Sequence, residues 1–378
     1  MTNIVIAGYA RSPFTLANKG ALRKTRPDDL AAAVIKGLVE RTKVNPADIE
    51  DVALGCAFPE GEQGMNMGRI VAFLAGLPNS VAGDTVNRFC GSSMQTIHQA
   101  AGSIAMGAGE CFIAAGVESM SRVPMGGYNP MPNPALVDAG HQAYVGMGET
   151  AENLAQKYQI PRAKQEAFAL ESHQRAAKAQ AAGKLKDEIV AVKGDGGMVD
   201  TDGCIRPEST LEALAGLKPA FKETGSVTAG TSSPLTDGAS AVLVCSEDYA
   251  KKNNLTPLAR IKAIAVAGCA PEIMGIGPVP AIQKALARAG LKLNQIDLIE
   301  LNEAFAAQAM SVMQKLGVDP AKTNIEGGAI AIGHPLGASG ARITGKAAWL
   351  LKREKKKYAL ASMCIGGGQG IATILEAL

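Results

Sequence analysis

The residues best placed to do chemistry are two cysteines and a histidine, each at the edge of a glycine-rich turn. Cys90 lies in Asn87-Arg-Phe-Cys-Gly-Ser-Ser93, and the apolar stripe Met94, Ile97, Ala101, Ile104 predicts a helix starting just after it. Its sulfur then sits near a helix N-terminus, where free N–H groups and the macrodipole favour an anion. A free cysteine titrates near ~8.5, and such a position lowers that by about one unit or more, so Cys90 reads as a nucleophile. Gly91, Ser92 and Ser93 leave its flank small and open. Cys56, Cys111, Cys204, Cys245 and Cys269 read instead as small buried hydrophobes.

His334 is embedded in Gly327-Gly-Ala-Ile-Ala-Ile-Gly-His-Pro-Leu-Gly-Ala-Ser-Gly-Ala-Arg342. Glycine inside regular structure costs about 0.5–1 kcal/mol per residue, so this density points to a place where something comes close to the backbone. Pro335 biases His334 toward an extended conformation at a bend. Cys364 closes a strand and runs into Ile365-Gly-Gly-Gly-Gln-Gly370, whose N–H groups can face a ligand. Nucleophile, base and a further acid/base are thus all expected at strand ends or helix starts, where open α/β sheets hold ligands. Asn302, in Asn302-Glu-Ala-Phe-Ala306, follows a strand to the same edge; it either holds a water or an oxyanion, or caps a helix. His98 reads as a core histidine, and His141 and His173 as solvent-exposed residues of an inserted segment.

The elements that must position these residues occur twice. A helix over 28–41 leads to the strand Asp51–Gly55, and Pro280–Ala289 leads to the strand Asp297–Leu301. The helix after Cys90 ends before the strand starting at Cys111, and the helix after His334 ends before the strand starting at Tyr358. This order predicts parallel sheet covered by helices, in two pseudo-twofold-related α/β domains with a site where they meet. Between them, residues 118–233 change character. Pro, Gly and Met crowd 119–148, one helical stretch spans 150–182, and Gly/Asp dominate 193–203, which reads as an inserted lid or binding lobe. The domains are then 1–117 completed by 234–256, 118–233, and 257–378.

The 378 residues, 47% hydrophobic with 4% aromatics, fit aliphatic α/β packing with a large core. The near-balanced charge of +3 gives no reason to expect a nucleic-acid or membrane-surface partner. An odd count of 7 cysteines without CxxC pairs fits reduced thiols, and with no signal-peptide pattern it suggests the cytoplasm. Gly340-Ala-Arg-Ile-Thr-Gly-Lys-Ala347 approaches a phosphate-binding loop but lacks its hydroxyl residue. No spacing resembles a zinc or calcium site.

Asn87–Ser93, Asn302–Ala306, Gly333–Arg342 and Cys364–Gly370 resemble, in order, the four signature blocks of the thiolase family, and the similarity spans essentially the whole chain. The resemblance implies a five-layered αβαβα thiolase fold with an inserted loop domain. It also implies coenzyme A and acyl-CoA as substrates, no tightly bound cofactor, no metal, and at least a homodimer, with a tetramer as the larger alternative. By the same resemblance Cys90 is acylated, His334 activates it, Cys364 is the acid/base at the reacting carbon, and Asn302 holds a water for the enolate. The N–H groups of Cys90 and Gly366 form a second oxyanion hole. Met147, Phe221, Ser233, Leu235, Ala304 and Phe305 correspond to the pantetheine tunnel and Arg206 to a position near the adenine.

Gly146 departs from the histidine of the biosynthetic acetoacetyl-CoA thiolases, and the covering segment before Met147 is shorter. Ile205–Thr210 and Gln369 are closer to the degradative 3-ketoacyl-CoA thiolases, which implies room for longer acyl chains. The biosynthetic condensation of two acetyl-CoA is the alternative activity. A ketoacyl-synthase-like enzyme would not need Cys364, and a non-catalytic acyl-CoA carrier would not need Cys90, His334, Cys364 and Asn302 together.

Overall fold

The structure is a computed structural model that describes residues 2–378. Its strands in chain order are β1 (Ile4–Arg11), β2 (Thr15–Leu16), β3 (Asp51–Gly55), β4 (Ala82–Val86), β5 (Cys111–Ser119), β6 (Val192–Gly194), β7 (Gly197–Val199), β8 (Thr236–Ser246), β9 (Ala259–Gly268), β10 (Leu298–Leu301), β11 (Tyr358–Ile365) and β12 (Gln369–Glu376). Among the described residues, ten of them form one sheet in the order β10-β11-β12-β9-β1-β8-β5-β3-β4, with β2 beside β8. The sheet is mixed rather than parallel. Only β3–β4, β3–β5 and β10–β11 run parallel, because β8 and β12 return directly alongside their neighbours in the opposite sense. A short antiparallel contact, Val5 with Arg260 and Ile6 with Ala259, joins β1 to β9. Outward from that junction β8 matches β12, β5 matches β11 and β3 matches β10, which is the pseudo-twofold.

Alternation along the strands sorts apolar side chains into three cores. Val5, Leu54, Ile113 and Leu243 pack under helices Pro27–Thr42 and Met67–Leu74. Ile299, Leu301, Leu360 and Ile374 pack under Pro278–Ala289 and Ala306–Leu316. The opposite faces, with Ile6, Phe112, Val242, Met363 and Ile371, close on helices Ser92–Ala105 and Leu336–Arg353. Helix, sheet, helix, sheet, helix is the resulting layer order.

The two central helices are the ones that follow Cys90 and His334, and they touch closely. A Cβ on Gly340 would lie 2.2 Å from the Met94 nitrogen, and one on Gly337 2.5 Å from the Val117 oxygen. The approach that the glycine density foretold is therefore, at these two positions, protein on protein. Ser93 Oγ also accepts the Ala341 N–H at 2.8 Å, tying one helix start to the other.

The helical stretch 150–182 is two helices, Met147–Lys157 and Arg162–Ala181. Pro161 cannot continue the first, and Gln159 takes a left-handed φ of 52° at the break. Within 118–233 the apolar cluster Ala179, Leu185 and Ile189 is small. The helices lean on their surroundings instead, with Ala151 and Ala155 packed against Ala304, Phe305 and Cys364. No helix of the described residues is long and apolar enough to cross a membrane.

Candidate active site

β4 ends at Val86 and the chain must turn before helix Ser92–Ala105 begins. Asn87 makes that turn: its Oδ1 accepts the Phe89 N–H at 2.8 Å while its Nδ2 donates to Ala57 O at 3.0 Å. Ser92 Oγ accepts the Arg88 N–H at 2.9 Å and donates to Phe89 O at 2.5 Å. Phe89 pays for the tightness with φ 42°. The result is Cys90 at the tip of the turn with a buried side chain.

The helix-start setting does not lower this thiol. Burial pushes Cys90 up to about 11, against the opposing N–H groups of Gly366 and of Cys90 itself, and the Glu118 carboxylate adds to the rise. Removing water from around an anion outweighs two hydrogen bonds to it. Cys90 is therefore a protonated thiol, and any attack by its sulfur would need a base.

His334 supplies a candidate base. Gly333, at φ 111°, lets the chain turn into it, and its N–H donates to Thr236 Oγ1 at 3.1 Å. Ser339 Oγ lies 2.5 Å from Nδ1 and 3.1 Å from Pro335 O. A hydroxyl has one proton; given to the carbonyl, it leaves Oγ to accept from Nδ1–H. That tautomer puts the lone pair on Nε2, which faces Asn302 Nδ2 at 3.3 Å. Burial, with Arg342 as a lesser cause, depresses His334 to about 3, so the ring is neutral.

Asn302 is not a helix cap: Phe305 occupies the N-cap of Ala306–Leu316. Its N–H donates to Ser362 O at 3.0 Å, extending the β10–β11 ladder by one residue and aligning Asn302 with Met363, next to Cys364 on the neighbouring strand. Glu303 anchors the turn from behind, accepting from Ser172 and Asn324 at 2.7 Å each and from the Ile330 N–H at 3.2 Å. Cys364 pairs with Gly370 across the β11–β12 hairpin, whose tip uses Gly367 and Gly368 at φ 78° and 87°. Burial raises the Cys364 thiol well above its usual value, and Cys90 is the next cause, which puts the two sulfurs in one electrostatic neighbourhood.

Cys364 also touches the cluster that holds Met147, Ala304 and Phe305. Phe221 meets Phe305 edge-on with ring centroids 5.7 Å apart, and Gly148 leaves room for it. Ser233 donates twice to Ala304 O, from N–H and Oγ, each at 3.0 Å. Leu235, two residues on, is exposed, and so is Phe221. Arg206 stands apart, exposed, with its backbone held on both sides: its N–H donates to His173 Nδ1 at 3.1 Å and its carbonyl accepts the Ser209 N–H at 3.3 Å. His173 is buried rather than solvent-facing, because that Nδ1 is occupied in seating the Arg206 turn. His141 is exposed and His98 is buried against Thr373 Oγ1 at 2.8 Å.

Sequence reasoning missed Ser339, Thr236 and Glu118. Ser339 carried a usable signal, as a hydroxyl five residues after the histidine in a predicted first helical turn. Thr236 and Glu118 carried none, since their partners are distant in the chain.

A thiol, a neutral imidazole, a carboxamide, a second thiol and two N–H groups on one sulfur are groups that could together serve acyl transfer through a cysteine. The chain matches the thiolase N-terminal domain over residues 4–248 and the thiolase C-terminal domain over 255–377. It therefore belongs to the thiolase family, whose members are acyltransferases. A 3-ketoacyl-CoA thiolase of Bacillus subtilis (strain 168) is 46% identical over 100% of both chains. One of Pseudoalteromonas translucida (strain TAC 125) is 50% identical over 100% of this chain and 99% of its own. The crystal structure of human mitochondrial 3-ketoacyl-CoA thiolase in complex with CoA superimposes with a TM-score of 0.92 at 40% identity, covering 100% of this chain and 98% of that one.

Proposed function

We propose that the chain cleaves 3-ketoacyl-CoA with coenzyme A, giving acetyl-CoA and a shortened acyl-CoA through a Cys90 acyl-enzyme. The observation that carries this reading is the neutral His334 whose Nε2 lone pair faces the Asn302 amide. His334 Nε2 takes the Cys90 proton as the sulfur adds to the ketone carbon. The resulting oxyanion lies on the N–H groups of Cys90 and Gly366. The C2–C3 bond then breaks and its electron pair becomes the acetyl-CoA enolate, held by His334 and a water on Asn302. Cys364 gives its proton to C2 and acetyl-CoA leaves. The thiol of coenzyme A then attacks acyl-Cys90, losing its proton to the site and freeing the sulfur.

Met147, Phe221, Ser233, Leu235, Ala304 and Phe305 would line the pantetheine path, with Arg206 toward the adenine. The exposed apolar faces of Phe221 and Leu235 support the first part. Coenzyme A is a substrate in this reading, and no cofactor is tightly bound. The degradative direction is favoured over acetoacetyl-CoA synthesis by the names of the relatives and by Gly146. We place the domains at 1–117 with 234–256, 118–233 and 257–378. A homodimer in the cytoplasm completes the reading. Its support is the open outer edge of β4 beside the exposed Ile70, Phe73 and Leu74 of helix Met67–Leu74. Thiolysis rates for 3-ketoacyl-CoA substrates of increasing chain length, with free coenzyme A, test it. Turnover of medium or long chains is expected; turnover of acetoacetyl-CoA alone would favour the biosynthetic alternative, and no thiolysis would overturn the reading.

A further inference from the structure

The central layer contains an ion pair that the proposed chemistry does not use. In β10, Leu298 faces the central core and Ile299 and Leu301 face the outer one, so alternation turns Glu300 inward toward helix Leu336–Arg353. There it meets Arg342, Nη1 to Oε2 at 3.4 Å, with both side chains almost fully buried. The same two elements carry the base and its partner. β10 runs directly into Asn302, and the helix starts two residues after His334 with Ser339 in its opening turns. Strand end and helix are thus joined at two points, Asn302–His334 at 3.3 Å and Glu300–Arg342.

Among the described residues Glu300 is the only ion-pair partner of Arg342. The other buried charges facing this pair are matched elsewhere. Lys346 pairs with Glu188 at 3.1 Å and Glu326 at 2.6 Å. Arg11 pairs with Glu188 at 2.9 Å and Asp202 at 2.7 Å, and the Tyr9 hydroxyl is uncharged. Glu303, just after β10, and Glu188 also feel the Arg342 charge, but Glu303 is held by Ser172, Asn324 and the Ile330 N–H and Glu188 by Arg11 and Lys346. Glu300 is the carboxylate in contact with Arg342, whose charge already disfavours a proton on His334.

We propose that Glu300 is a positioning residue: its carboxylate balances the Arg342 guanidinium, so that His334 can accept the Cys90 proton. The proton passes from Sγ to Nε2, leaving thiolate and imidazolium, and Glu300 itself neither gains nor loses one. The inference rests on His334 being the base. Burial raises Glu300 to about 7, against Arg342 and Lys346 and with Glu188 and Glu326 adding to the rise. Below that pH a protonated Glu300 leaves Arg342 unbalanced, so acylation slows as pH falls through about 7. Neither His334, about 3, nor Cys90, about 11, titrates there.

The test is the rate at which acetyl-CoA acetylates Cys90, followed by quenched intact-mass analysis of the full chain from pH about 6 to 9, a range above that in which ordinary carboxylates titrate. Glu300→Gln should acetylate about tenfold more slowly at pH 8, lose the inflection and keep the parent's KM. Arg342→Met should also lose the inflection but in the opposite sense, at least as fast as the parent at pH 6. The double variant should return to within about threefold of the parent; replacing a buried pair by neutral groups also spares the fold the unmatched Arg342 charge left by the single change. A folded double variant as slow as Glu300→Gln, or an Arg342→Met variant that keeps the inflection, overturns the proposal. His334→Ala separates the two levels. If it acetylates at the parent rate the base assignment itself fails, and if it is slow while Glu300→Gln is not, only this inference fails.

Discussion

Matching strand ends in the two halves hold different chemistry. In the C-terminal half β10 runs into Asn302 and β11 delivers Cys364; in the N-terminal half the equivalent β3 runs into Cys56 and β5 delivers Glu118. Glu118 is saturated. It accepts from the N–H groups of Ala57 at 2.9 Å, Phe58 at 3.2 Å and Gly337 at 2.8 Å, from Gln63 Nε2 at 2.8 Å, and from the Cys56 thiol at 3.6 Å. A carboxylate has about four lone-pair sites, so none is left for a substrate. Glu118 thereby fastens the 56–63 loop and the start of the His334 helix to β5. Among the described residues Asn302 Oδ1 and the Cys364 thiol have no hydrogen-bond partner on another residue, and His334 Nε2 meets only the Asn302 amide, at 3.3 Å. The duplicated strand ends hold a fastener in one half and, in the proposed mechanism, reagents in the other, and what separates them is how far the protein uses up the polar atoms.

That contrast breaks most visibly at the nucleophile. Cys90→Ser should lose about 10³-fold or more of thiolysis, since an alcohol is a far weaker acid than a thiol for His334 to deprotonate, with the melting temperature nearly unchanged. Cys364→Ala should abolish exchange of the acetyl-CoA methyl protons with deuterated water by about 10²–10⁴ while Cys90 still acylates. Exchange at the parent rate would make Cys364 a packing residue like its N-terminal counterparts. Asn302→Ala should slow the same exchange by about 10²–10³ through loss of one oxyanion donor. In the N-terminal half the effect moves from rate to stability. Glu118→Gln should cost about 1–3 kcal/mol in urea unfolding, because donors lose their acceptor, with kcat changed only a few-fold. A thiolate absorbance difference between the parent and Cys90→Ser near 240 nm should show no step between pH about 6 and 9, because the Cys90 thiol sits at about 11 and ionises only as pH rises toward that value. A step near neutral pH would restore the lowered thiol that helix-start logic predicts.

The sequence makes the candidate reagents legible because each sits beside small or helix-breaking residues, as at Cys90-Gly-Ser-Ser, Gly333-His-Pro and Cys364-Ile-Gly-Gly-Gly. The doubled strand–helix pattern is legible for the same reason, since hydrophobic periodicity is local. Strand direction is not: β8 and β12 reverse the sheet through pairings set by partners far off in the chain. Burial of His173 and the raised Cys90 thiol are equally invisible, because both depend on what covers the residue in three dimensions. Glu300 looks like one acid in an apolar strand until Arg342, 42 residues away, closes on it.

The most direct test of the account is to incubate the protein with acetyl-CoA, quench in acid and map the mass increase by peptide. The account predicts one acetyl group per chain, on the peptide carrying Cys90, discharged when free coenzyme A is added. A stable acetyl group on another residue with Cys90 unmodified would contradict it.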